Sequence, residues 1–505
     1  MPDLTFRPTA VSRHRLDELL ARLPESRLDG DPATTVTGVT HDSRQVRSGD
    51  LYVARAGQHT HGIDHVDAAI QAGAVAVLTD AASADAAATA GAAAVVVVPD
   101  PRAAMGAVAA WAYDDPAADL LVLGVTGTNG KTTTVYLLDA GLRAAGRRTG
   151  LIGTIETRVA GEAMPSARTT PEAPDLHALF AVMREREVDA VAMEVSSHAL
   201  ALGRVDGIGY DVAGFTNLSQ DHLDFHRDMA NYFAAKAELF TPARADRAVV
   251  CVDDEWGARL AREATVPVTT VGYAEAALWR RVADTDLGAR GGRTTLRDPH
   301  GATHEIACRL IGHVNLTNAA IAYVMLVTAG IDAVAAREGI AGLASIPGRM
   351  EPVDAGQPYL AIVDYAHTPE AVTNLLADAR HLAGPDGKVR VVLGCGGDRD
   401  ASKRPAMGRA AATGADVAVF TNDNPRSENP QAILDAMLDG VPAGREVLVE
   451  PDRRSAIERV VAEAEPGDVV VIAGKGHEPG QDVAGVVTPF DDRVVLRDVI
   501  AGVPS

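Results

Sequence analysis

Lysine is rare in this chain, and its few occurrences mark segments that could do chemistry. The 47 Lys and Arg residues include five lysines, at positions 131, 236, 388, 403 and 475, and four of these lie in glycine-rich or otherwise motif-like segments. Arginine does not replace lysine where a compact amine must act as a nucleophile or reach a phosphate. Because this chain uses arginine almost everywhere else, its lysines indicate an active site.

The first lysine follows a glycine-rich turn in LLVLGVTGTNGKTTT, residues 120–134. An apolar strand pattern passes through Gly127 and Gly130 into Lys131, Thr132 and a helical stretch, an arrangement in which backbone N–H groups and a helix N-terminus hold phosphates. The segment predicts a nucleoside triphosphate site. A strict P-loop has glycine at position 125, where this chain has Val125, which favours a variant nucleotide-binding family over an ordinary kinase or GTPase.

Two further segments carry side chains that could hold a metal. AMEVSSHAL places Glu194 at the end of an apolar strand, where a buried carboxylate is costly unless it pairs with a cation or binds metal. NLSQDHLDFH contains His222, and NYFAAKAELF carries Lys236 on an amphipathic helix. Taken singly, Glu194 also fits a salt bridge, His222 a satisfied histidine, and Lys236 a side chain whose amine reaches solvent.

Four apolar strands in the last third of the chain run directly into polar tails. They are YLAIVDYAHTP, KVRVVLGCGGDRD, ADVAVFTNDNPR and DVVVIAGKGHE. Ligands gather at the carboxyl ends of strands in open α/β sheets, so these tails predict a second binding face.

The elements that position these motifs predict an α/β protein of three domains, as expected for 505 residues. We expect a smaller N-terminal α/β domain (1–118), a central P-loop-type domain with a mostly parallel sheet (119–346) and a Rossmann-like C-terminal domain (347–505). Strands such as DAVAMEVS and VAGFTNLS alternate with helical patterns in the central part. The Ala-rich tract over residues 81–94 is predicted to be helical.

Charge and cysteine content exclude several classes of protein. A formal charge of −21 and a pI near 5.1 argue against general binding of nucleic acid or anionic membranes. Cys251, Cys308 and Cys395 form no CxxC spacing, so neither a disulfide framework nor a zinc site is predicted. No segment has the apolar character of a signal peptide or the length of a membrane span. We therefore expect a soluble, unprocessed protein of the cytoplasm, with a monomer favoured.

TGTNGKTTT resembles the nucleotide loop of the Mur ligases and of their folylpolyglutamate synthetase relatives, and the resemblance covers essentially the full chain in the same order. It implies that Lys131 contacts the terminal phosphates of ATP, Thr132 the magnesium ion and Asn129 the nucleotide. GHVNLTNAA, PGRME and VDYAHTPE resemble further nucleotide contacts of the family, although alone they fit a helix cap or a structural ion pair. The implied ATP site consists of Gly127, Thr128, Asn129, Gly130, Lys131, Thr132, Thr133, Asn318, Arg349 and Asp364, with Asn315 and His367 nearby.

The same resemblance implies a magnesium site. In the Mur ligases the glutamate and histidine ligate Mg²⁺, and the lysine is carbamylated, which here implies that Lys236 is an N6-carboxylysine. The modification supplies an anionic oxygen ligand of the hard kind that Mg²⁺ prefers. The implied metal ligands are Thr132, Glu194, His222 and Lys236, and the implied catalytic residues are Lys131, Lys236, His222 and Glu194.

HDSRQVRSGDLYVA resembles the uridine-binding segment of ligases that act on UDP-N-acetylmuramoyl peptides. Alone, its DSR sequence fits an Asx-type turn. Many relatives carry Gln where this chain has Leu202, so that polar contact is not expected here. The implied site for the UDP substrate consists of Ser43, Gln58, His59, Thr60, Thr169, Thr170, Ser196 and Arg204.

DNPR, residues 423–426, resembles the motif of the Mur ligases that add meso-diaminopimelate. The distal end of that amino acid bears a carboxylate, which Arg426 could hold in a bidentate fork, and an ammonium, which Glu478 could accept. Lysine offers only the ammonium, so an enzyme selecting lysine has no use for Arg426. The implied amino-acid site consists of Arg399, Asp423, Asn424, Pro425, Arg426, Gly474 and Glu478.

Together these segments imply an ATP-dependent amide ligase that adds meso-diaminopimelate to UDP-N-acetylmuramoyl-L-alanyl-D-glutamate through an acyl phosphate, in peptidoglycan precursor synthesis. The partners implied are ATP, the UDP-muramoyl dipeptide, meso-diaminopimelate and Mg²⁺. The alternatives are a related ligase with another amino-acid or peptide substrate and a nucleotide-binding scaffold without catalysis. Intact Lys236, His222 and Glu194 argue against the scaffold, and DNPR followed by GKGHE argues against the rival ligases.

Overall fold

The structure, a computed structural model, describes residues 7–57, 60–164, 168–384 and 386–503. Within these ranges the chain forms three α/β domains, each around its own mainly parallel sheet. The predicted fold class is confirmed. The domain boundaries predicted after residues 118 and 346 fall in connections between elements and stay predictions.

The N-terminal domain contains eleven helices and strands within the described residues: β1 (His14–Arg15), α1 (Leu16–Arg22), β2 (Arg27–Gly30), β3 (Thr35–Val36), β4 (Gly38–Thr40), β5 (Asp50–Val53), α2 (Val66–Gln71), β6 (Ala76–Thr79), α3 (Ala84–Thr89), β7 (Ala94–Val97) and α4 (Pro101–Ala112). Its main sheet has the order β2-β7-β6-β5-β4, in which β2 is antiparallel to β7 and the other pairs are parallel. Apolar clusters pack on both faces of this sheet.

The Ala-rich tract is helical only over α3, so the prediction of a helix over residues 81–94 is wrong at both ends. Gly91 has a φ of +92°, a left-handed conformation that turns the chain after the helix. Ala94 then begins β7, because the Val run that follows it is buried and favours a strand.

The central domain follows with a larger set of elements: β8 (Leu121–Thr126), α5 (Lys131–Ala144), β9 (Thr149–Ile152), β10 (Thr157–Val159), β11 (Glu162–Met164), α6 (Ala173–Glu185), β12 (Ala190–Glu194), α7 (Ser197–Ala201), β13 (Val212–Phe215), α8 (Leu223–His226), α9 (Met229–Ala237), β14 (Ala248–Cys251), α10 (Glu255–Glu263), β15 (Val268–Gly272), β16 (Trp279–Gly288), β17 (Gly291–Arg297), β18 (Thr303–Cys308), α11 (His313–Thr328) and α12 (Ala333–Gly342). Its sheet has the order β11-β10-β9-β12-β8-β13-β14-β15-β16-β17-β18. The strands from β9 to β16 in this order are parallel, and an antiparallel hairpin extends each edge.

The C-terminal domain contains β19 (Glu351–Pro352), β20 (Leu360–Asp364), α13 (Pro369–Ala383), β21 (Val389–Leu393), α14 (Arg404–Gly414), β22 (Val417–Phe420), α15 (Pro430–Leu438), β23 (Leu448–Val449), α16 (Arg453–Ala462), β24 (Val469–Ala473), β25 (Gly480–Val483), β26 (Val486–Pro489) and α17 (Asp492–Ile500). Its sheet order is β19-β20-β24-β21-β22-β23, parallel from β20 onward, with β25 and β26 as a separate hairpin. Among the residues described, no helix has the length and apolar character that crossing a bilayer requires.

Candidate active site

A cleft of about 700 Å³ between the central and C-terminal domains gathers most of the predicted site residues. Those that line it are Thr128, Asn129, Gly130, Lys131, Thr132, Thr133, Thr169, Thr170, Glu194, Ser196, Arg204, His222, Asn315, Asn318, Arg349, Asp364, His367, Arg399, Asp423, Asn424, Arg426, Gly474 and Glu478. The predicted residues that do not line it are Ser43, Thr60, Gly127, Lys236 and Pro425. Gln58 and His59 lie outside the described residues.

The nucleotide loop joins β8 to α5 and needs glycine at two positions. Gly127 has a φ of +147°, and a Cβ there would collide with the Thr216 hydroxyl. Gly130, with a φ of +84°, caps α5 against the side chain of Asn318. Val125 lies inside β8 and is fully buried. The glycine missing from the strict P-loop pattern would therefore be in the strand, not in the turn.

The terminal amine of Lys131 lies over the loop that precedes it. Lys131 Nζ donates to the carbonyls of Gly127 and Thr128, each at 2.9 Å. Burial lowers the pKa of Lys131, and the nearby carboxylate of Glu194 opposes that change. An incoming phosphate could take over the two carbonyl contacts, because the amine already lies at the start of α5.

Glu194, at the carboxyl end of β12, is buried among hydroxyl and amide donors. It accepts hydrogen bonds from Thr132 Oγ1 at 2.9 Å, from the Thr154 backbone N–H at 2.7 Å and from Thr154 Oγ1 at 3.1 Å. These three bonds offset the cost of burying the carboxylate, in place of the salt bridge considered above. The prediction missed Thr154, although it lies two residues after the end of the neighbouring strand β9.

Lys236 and His222 approach the loop from α9 and from the start of α8. Lys236 Nζ donates to the Gly127 carbonyl at 2.7 Å and lies 4.7 Å from the centre of the Tyr232 ring. Its side chain is buried, so the alternative that its amine reaches solvent is wrong. Burial and the charge of Lys131 hold the pKa of Lys236 well below its ordinary value, which favours a neutral amine. Burial in the cleft also lowers the pKa of His222, to about 3.

The predicted metal ligands are only partly assembled by the unmodified side chains. Within the described ranges, no group of three or more His, Cys, Asp or Glu residues is placed to hold a metal ion. Thr132 and Glu194 are hydrogen-bonded to each other and line the cleft together with His222. Lys236 does not line the cleft, and its amine donates to the Gly127 carbonyl of the nucleotide loop. A hydroxyl and a carboxylate suit Mg²⁺, but an ammonium at position 236 does not. The donor set fits the ion if Lys236 carries the carbamate.

Arg349 connects the start of the C-terminal domain to the nucleotide loop. Its Nη2 donates to Thr132 Oγ1 at 2.9 Å, and its guanidinium lies 4.6 Å from the centre of the Tyr365 ring. Asp364 holds this turn by accepting from the backbone N–H groups of Met350 at 2.7 Å and Ala366 at 2.8 Å. A chain of hydrogen bonds thus runs from Arg349 through Thr132 to Glu194.

The two asparagines at the start of α11 make local contacts at the cleft wall. Asn315 Nδ2 donates to the Ile311 carbonyl at 2.7 Å, and Asn318 Nδ2 donates to Asn315 Oδ1 at 3.2 Å. The residue that caps α11 is Gly312, with no side-chain cap hydrogen bond, so the helix-cap alternative considered for this pair is wrong.

Asp221 is the main charged contact between the two domains that form the cleft. It accepts from Lys403 Nζ at 3.0 Å and lies 3.7 Å from His367 Nε2, both from the C-terminal domain. Burial alone would raise the pKa of Asp221, but His367, His222 and Lys403 hold it well below its usual range. The prediction did not assign Lys403, although the scarcity of lysine singled it out.

The predicted UDP-substrate residues divide between two places. Ser43 lies in a 3₁₀ turn whose Asp42 side chain accepts from the Arg44 N–H at 3.0 Å, so the Asx-type turn is present. Thr170 Oγ1 donates to the Glu194 carbonyl at 2.9 Å and accepts from the Ser196 N–H at 3.2 Å. These bonds fix the threonine segment to the end of β12.

A basic cluster lies where the N-terminal and central domains meet. Glu172 pairs with Arg204 at 3.0 Å, with Arg102 at 3.8 Å and with Arg168. Burial lowers the pKa of the nearby Arg55, the neighbouring arginines lower it further, and Glu172 opposes the change. One carboxylate thus faces several guanidinium groups, which suits an anionic ligand. Sequence reasoning missed Arg55 and Arg102. Arg102 donates to the backbone carbonyl of Leu202 at 3.3 Å.

The amino-acid side of the cleft is built from the DNPR and GKGHE segments. Arg426 has a φ of +52°, and its backbone pairs with the β25–β26 hairpin. Its Nη1 donates to the Gly397 carbonyl at 2.6 Å. Glu478 accepts from Asn424 Nδ2 at 2.6 Å and from Tyr365 Oη at 3.4 Å. Burial raises the pKa of Glu478, and the neighbouring Asp423 raises it further.

Comparison with known proteins identifies the family. The model of the Mur ligase family catalytic domain matches residues 35–113, that of the Mur ligase middle domain matches 125–326, and that of the Mur ligase glutamate ligase domain matches 348–476. A Streptomyces coelicolor protein named UDP-N-acetylmuramoyl-L-alanyl-D-glutamate--2,6-diaminopimelate ligase is 54% identical over 502 residues, 98% of each chain. The chain belongs to the Mur ligase family. The resemblance described from its motifs is confirmed, and this Mur ligase is an enzyme of the ligase class.

Solved structures agree with this assignment. A ligase bearing the same name as the Streptomyces protein matches this Mur ligase with a TM-score of 0.67 and 30% identity, over 97% of this chain and 99% of that one. The MurF ligase from Thermotoga maritima, solved in complex with ADP, has a TM-score of 0.62 at 18% identity, over 92% and 96% of the two chains. The second likeness concerns the fold alone.

Proposed function

We propose that this Mur ligase adds meso-diaminopimelate to UDP-N-acetylmuramoyl-L-alanyl-D-glutamate at the expense of ATP, in cytoplasmic peptidoglycan precursor synthesis. The observation that carries the proposal is that Arg426 and Glu478 share one cleft with Lys131 and Glu194. A cation and a carboxylate for the two charged groups at the distal end of diaminopimelate thus lie in the cleft that the nucleotide loop also lines. The relatives named above bear the name of this activity.

The three domains take separate parts in this scheme. The N-terminal domain with Ser43 and Thr60 binds the uridine nucleotide, and the basic cluster around Glu172 faces the anionic part of the substrate. The central loop binds ATP, and the C-terminal domain binds diaminopimelate. Thr132, Glu194, His222 and carboxylated Lys236 would hold Mg²⁺, which neutralises phosphate charge when bound.

The chemistry then needs positioning and charge neutralisation from the protein. The γ-phosphate of ATP is transferred to the terminal glutamyl carboxylate, which gives ADP and an acyl phosphate. The neutral amine of diaminopimelate attacks the acyl carbon, phosphate leaves, and the amine proton is lost as the amide forms. Lys131 stabilises the charge on the transferred phosphoryl group. The hydrogen bonds from Arg349 to Thr132 and from Thr132 to Glu194 hold the C-terminal domain in position against the central domain.

Carbamylation of Lys236 has a physical basis in its surroundings. The buried amine can add to CO₂, forming an N–C bond and releasing one proton, because it is held neutral close to the loop. The product is an anionic oxygen ligand of the kind that Mg²⁺ prefers, in place of an amine that offers no oxygen.

A phosphate-release assay with ATP and UDP-N-acetylmuramoyl-L-alanyl-D-glutamate tests the proposed function. The amino component is varied among meso-diaminopimelate, L-lysine and D-alanyl-D-alanine, and the expected result is fast release with diaminopimelate alone. Faster release with lysine or with the dipeptide would assign a different ligase of the family. Release that needs no amino component would contradict amide ligation.

A further inference from the structure

Lys475 has no part in the site described so far, although it lies between Gly474 and Glu478. Lys475 lies two residues after the end of β24, behind the residues that line the cleft, and its side chain is fully buried, with 0% of its surface exposed. Burying an ammonium is costly unless acceptors surround it. The partners of this amine therefore indicate what it does.

The amine of Lys475 determines how the Asn424 amide points. Lys475 Nζ donates to the Gly480 carbonyl at 2.5 Å and to Asn424 Oδ1 at 3.3 Å. An ammonium has no acceptor, so the amide oxygen must face it and the amide nitrogen must face the other way. That nitrogen donates to Glu478 Oε2 at 2.6 Å, and the Asp482 N–H supports the same orientation by donating to Asn424 Oδ1 at 2.9 Å. Lys475 also lies 3.7 Å from Glu478 Oε2.

We propose that Lys475 is a positioning residue of the amino-acid pocket, which orients the Asn424 amide and holds the Glu478 carboxylate ready for the distal ammonium of the incoming amino acid. The inference rests on the proposed function, since Glu478 is assigned to that ammonium there. Lys475 does not contact the amino acid and acts through its two neighbours. Arginine would fit poorly, because its planar guanidinium cannot occupy the space of a compact ammonium.

The charge of Lys475 has a second effect on Glu478. Burial and Asp423 raise the pKa of Glu478, and Lys475 is the first group that opposes this rise. Removing the amine should raise that pKa further, so that the carboxylate loses its charge at a higher pH. The other charged or titratable groups that act on Glu478 are Asp423, Arg426, Tyr365 and Arg453.

Steady-state kinetics of the full-length Lys475→Met variant test the inference. Lys388→Met is the matched control, because Lys388 is an exposed lysine of the same domain. In Lys475→Met we expect the KM for meso-diaminopimelate to rise about tenfold to a hundredfold, because a charged hydrogen-bond network is lost. The KM values for ATP and the UDP substrate should stay within about twofold of the wild-type values. In a plot of 1/KM for diaminopimelate against pH, the acid limb is the fall in 1/KM as Glu478 is protonated. In Lys475→Met this limb should move to higher pH. In Lys475→Arg the KM should also rise, but the acid limb should stay near its wild-type position.

An unchanged KM for diaminopimelate in Lys475→Met, or an equal rise in all three KM values, would overturn the inference. If Lys475→Met does not fold, as judged by circular dichroism, Lys475→Arg decides, and a wild-type KM there would equally overturn it. A wild-type enzyme that does not turn over diaminopimelate would refute the proposed function instead. Turnover by the wild type combined with unaffected Lys475 variants would refute only the role of Lys475.

Discussion

Replacing Arg426 with alanine isolates the interaction that should select the amino acid. The guanidinium is held by one hydrogen bond from Nη1 to the Gly397 carbonyl at 2.6 Å, which fixes the side chain and leaves further N–H groups for a carboxylate. The backbone of Arg426 has a φ of +52° and is paired with the β25–β26 hairpin. Alanine carries a Cβ just as arginine does, so the cost of this left-handed conformation is unchanged by the substitution.

The expected magnitude follows from the number of bonds lost. A hydrogen bond to a charged group contributes about 1.5 to 3 kcal/mol, so a bidentate fork contributes roughly 3 to 6 kcal/mol. The kcat/KM for meso-diaminopimelate should therefore fall by about 10² to 10⁴ in Arg426→Ala. Arg426→Lys keeps the charge but not the fork, and should lose about tenfold to a hundredfold. The wild type should prefer diaminopimelate to L-lysine by at least about a hundredfold for the same reason.

Initial rates of phosphate release, with each substrate varied in turn, measure these effects. The KM values for ATP and for the UDP substrate should stay within about twofold, since Arg426 is assigned to neither. Arg409→Ala, an exposed arginine on α14 of the same domain, should behave like the wild type. Diaminopimelate use that is indifferent to loss of Arg426, or equal efficiency of lysine and diaminopimelate in the wild type, would refute this assignment.

Three further predictions concern the metal site, the core of the C-terminal domain and acid stability. Lys236→Ala should abolish phosphate release yet stay folded by circular dichroism, with Lys388→Ala as control; near-wild-type turnover at saturating Mg²⁺ would contradict the metal role. Arg453→Met leaves the fully buried carboxylate of Asp492 unpaired. The free energy of unfolding in denaturant should therefore fall by about 3 to 5 kcal/mol. Arg459→Met, whose ion pair is exposed, should change stability by less than about 1 kcal/mol, and similar losses in both variants would show that the buried pair is not special. Burial lowers the pKa of His177 to about 4. Below about pH 6.5 the unfolded chain therefore binds a proton at His177 that the folded chain does not bind, and about 2 kcal/mol of the free energy of unfolding is lost by pH 5. His177→Gln should lose that much less between pH 7 and pH 5, and an identical loss would contradict the buried neutral state.

Those parallel strands that are largely apolar runs could be predicted from the sequence. DAVAMEVS contains β12 and YLAIVDYAHTP contains β20, and both strands are buried on two faces over nearly their whole length. The antiparallel extension β16–β18 was not predicted. Its strands carry charged side chains on an exposed face, for example Arg293 and Glu305, and half-exposed strands give a weaker pattern than buried ones.

The candidate site was predicted residue by residue, but its connections were not. Arg349 contacts Thr132 across 217 residues of sequence, and Lys403 contacts Asp221 across 182. Such pairs depend on how two domains meet, which local sequence patterns do not encode. Motifs specify the type of side chain at a position, whereas the partner of that side chain comes from a segment far away in the sequence.

The environments of the five lysines give a physical account of their scarcity. Lys388 is exposed, Lys131 lines the cleft, and the other three are buried or nearly so. Each of the buried amines fits among a few oxygen atoms: Lys236 at the loop carbonyl, Lys403 at a carboxylate and Lys475 at an amide and a carbonyl. A compact ammonium with three donors can occupy such a space, and a planar guanidinium with five cannot. Apart from the exposed Lys388 and the cleft-lining Lys131, the lysines of this chain lie where geometry excludes arginine, and these places are close to the proposed reaction.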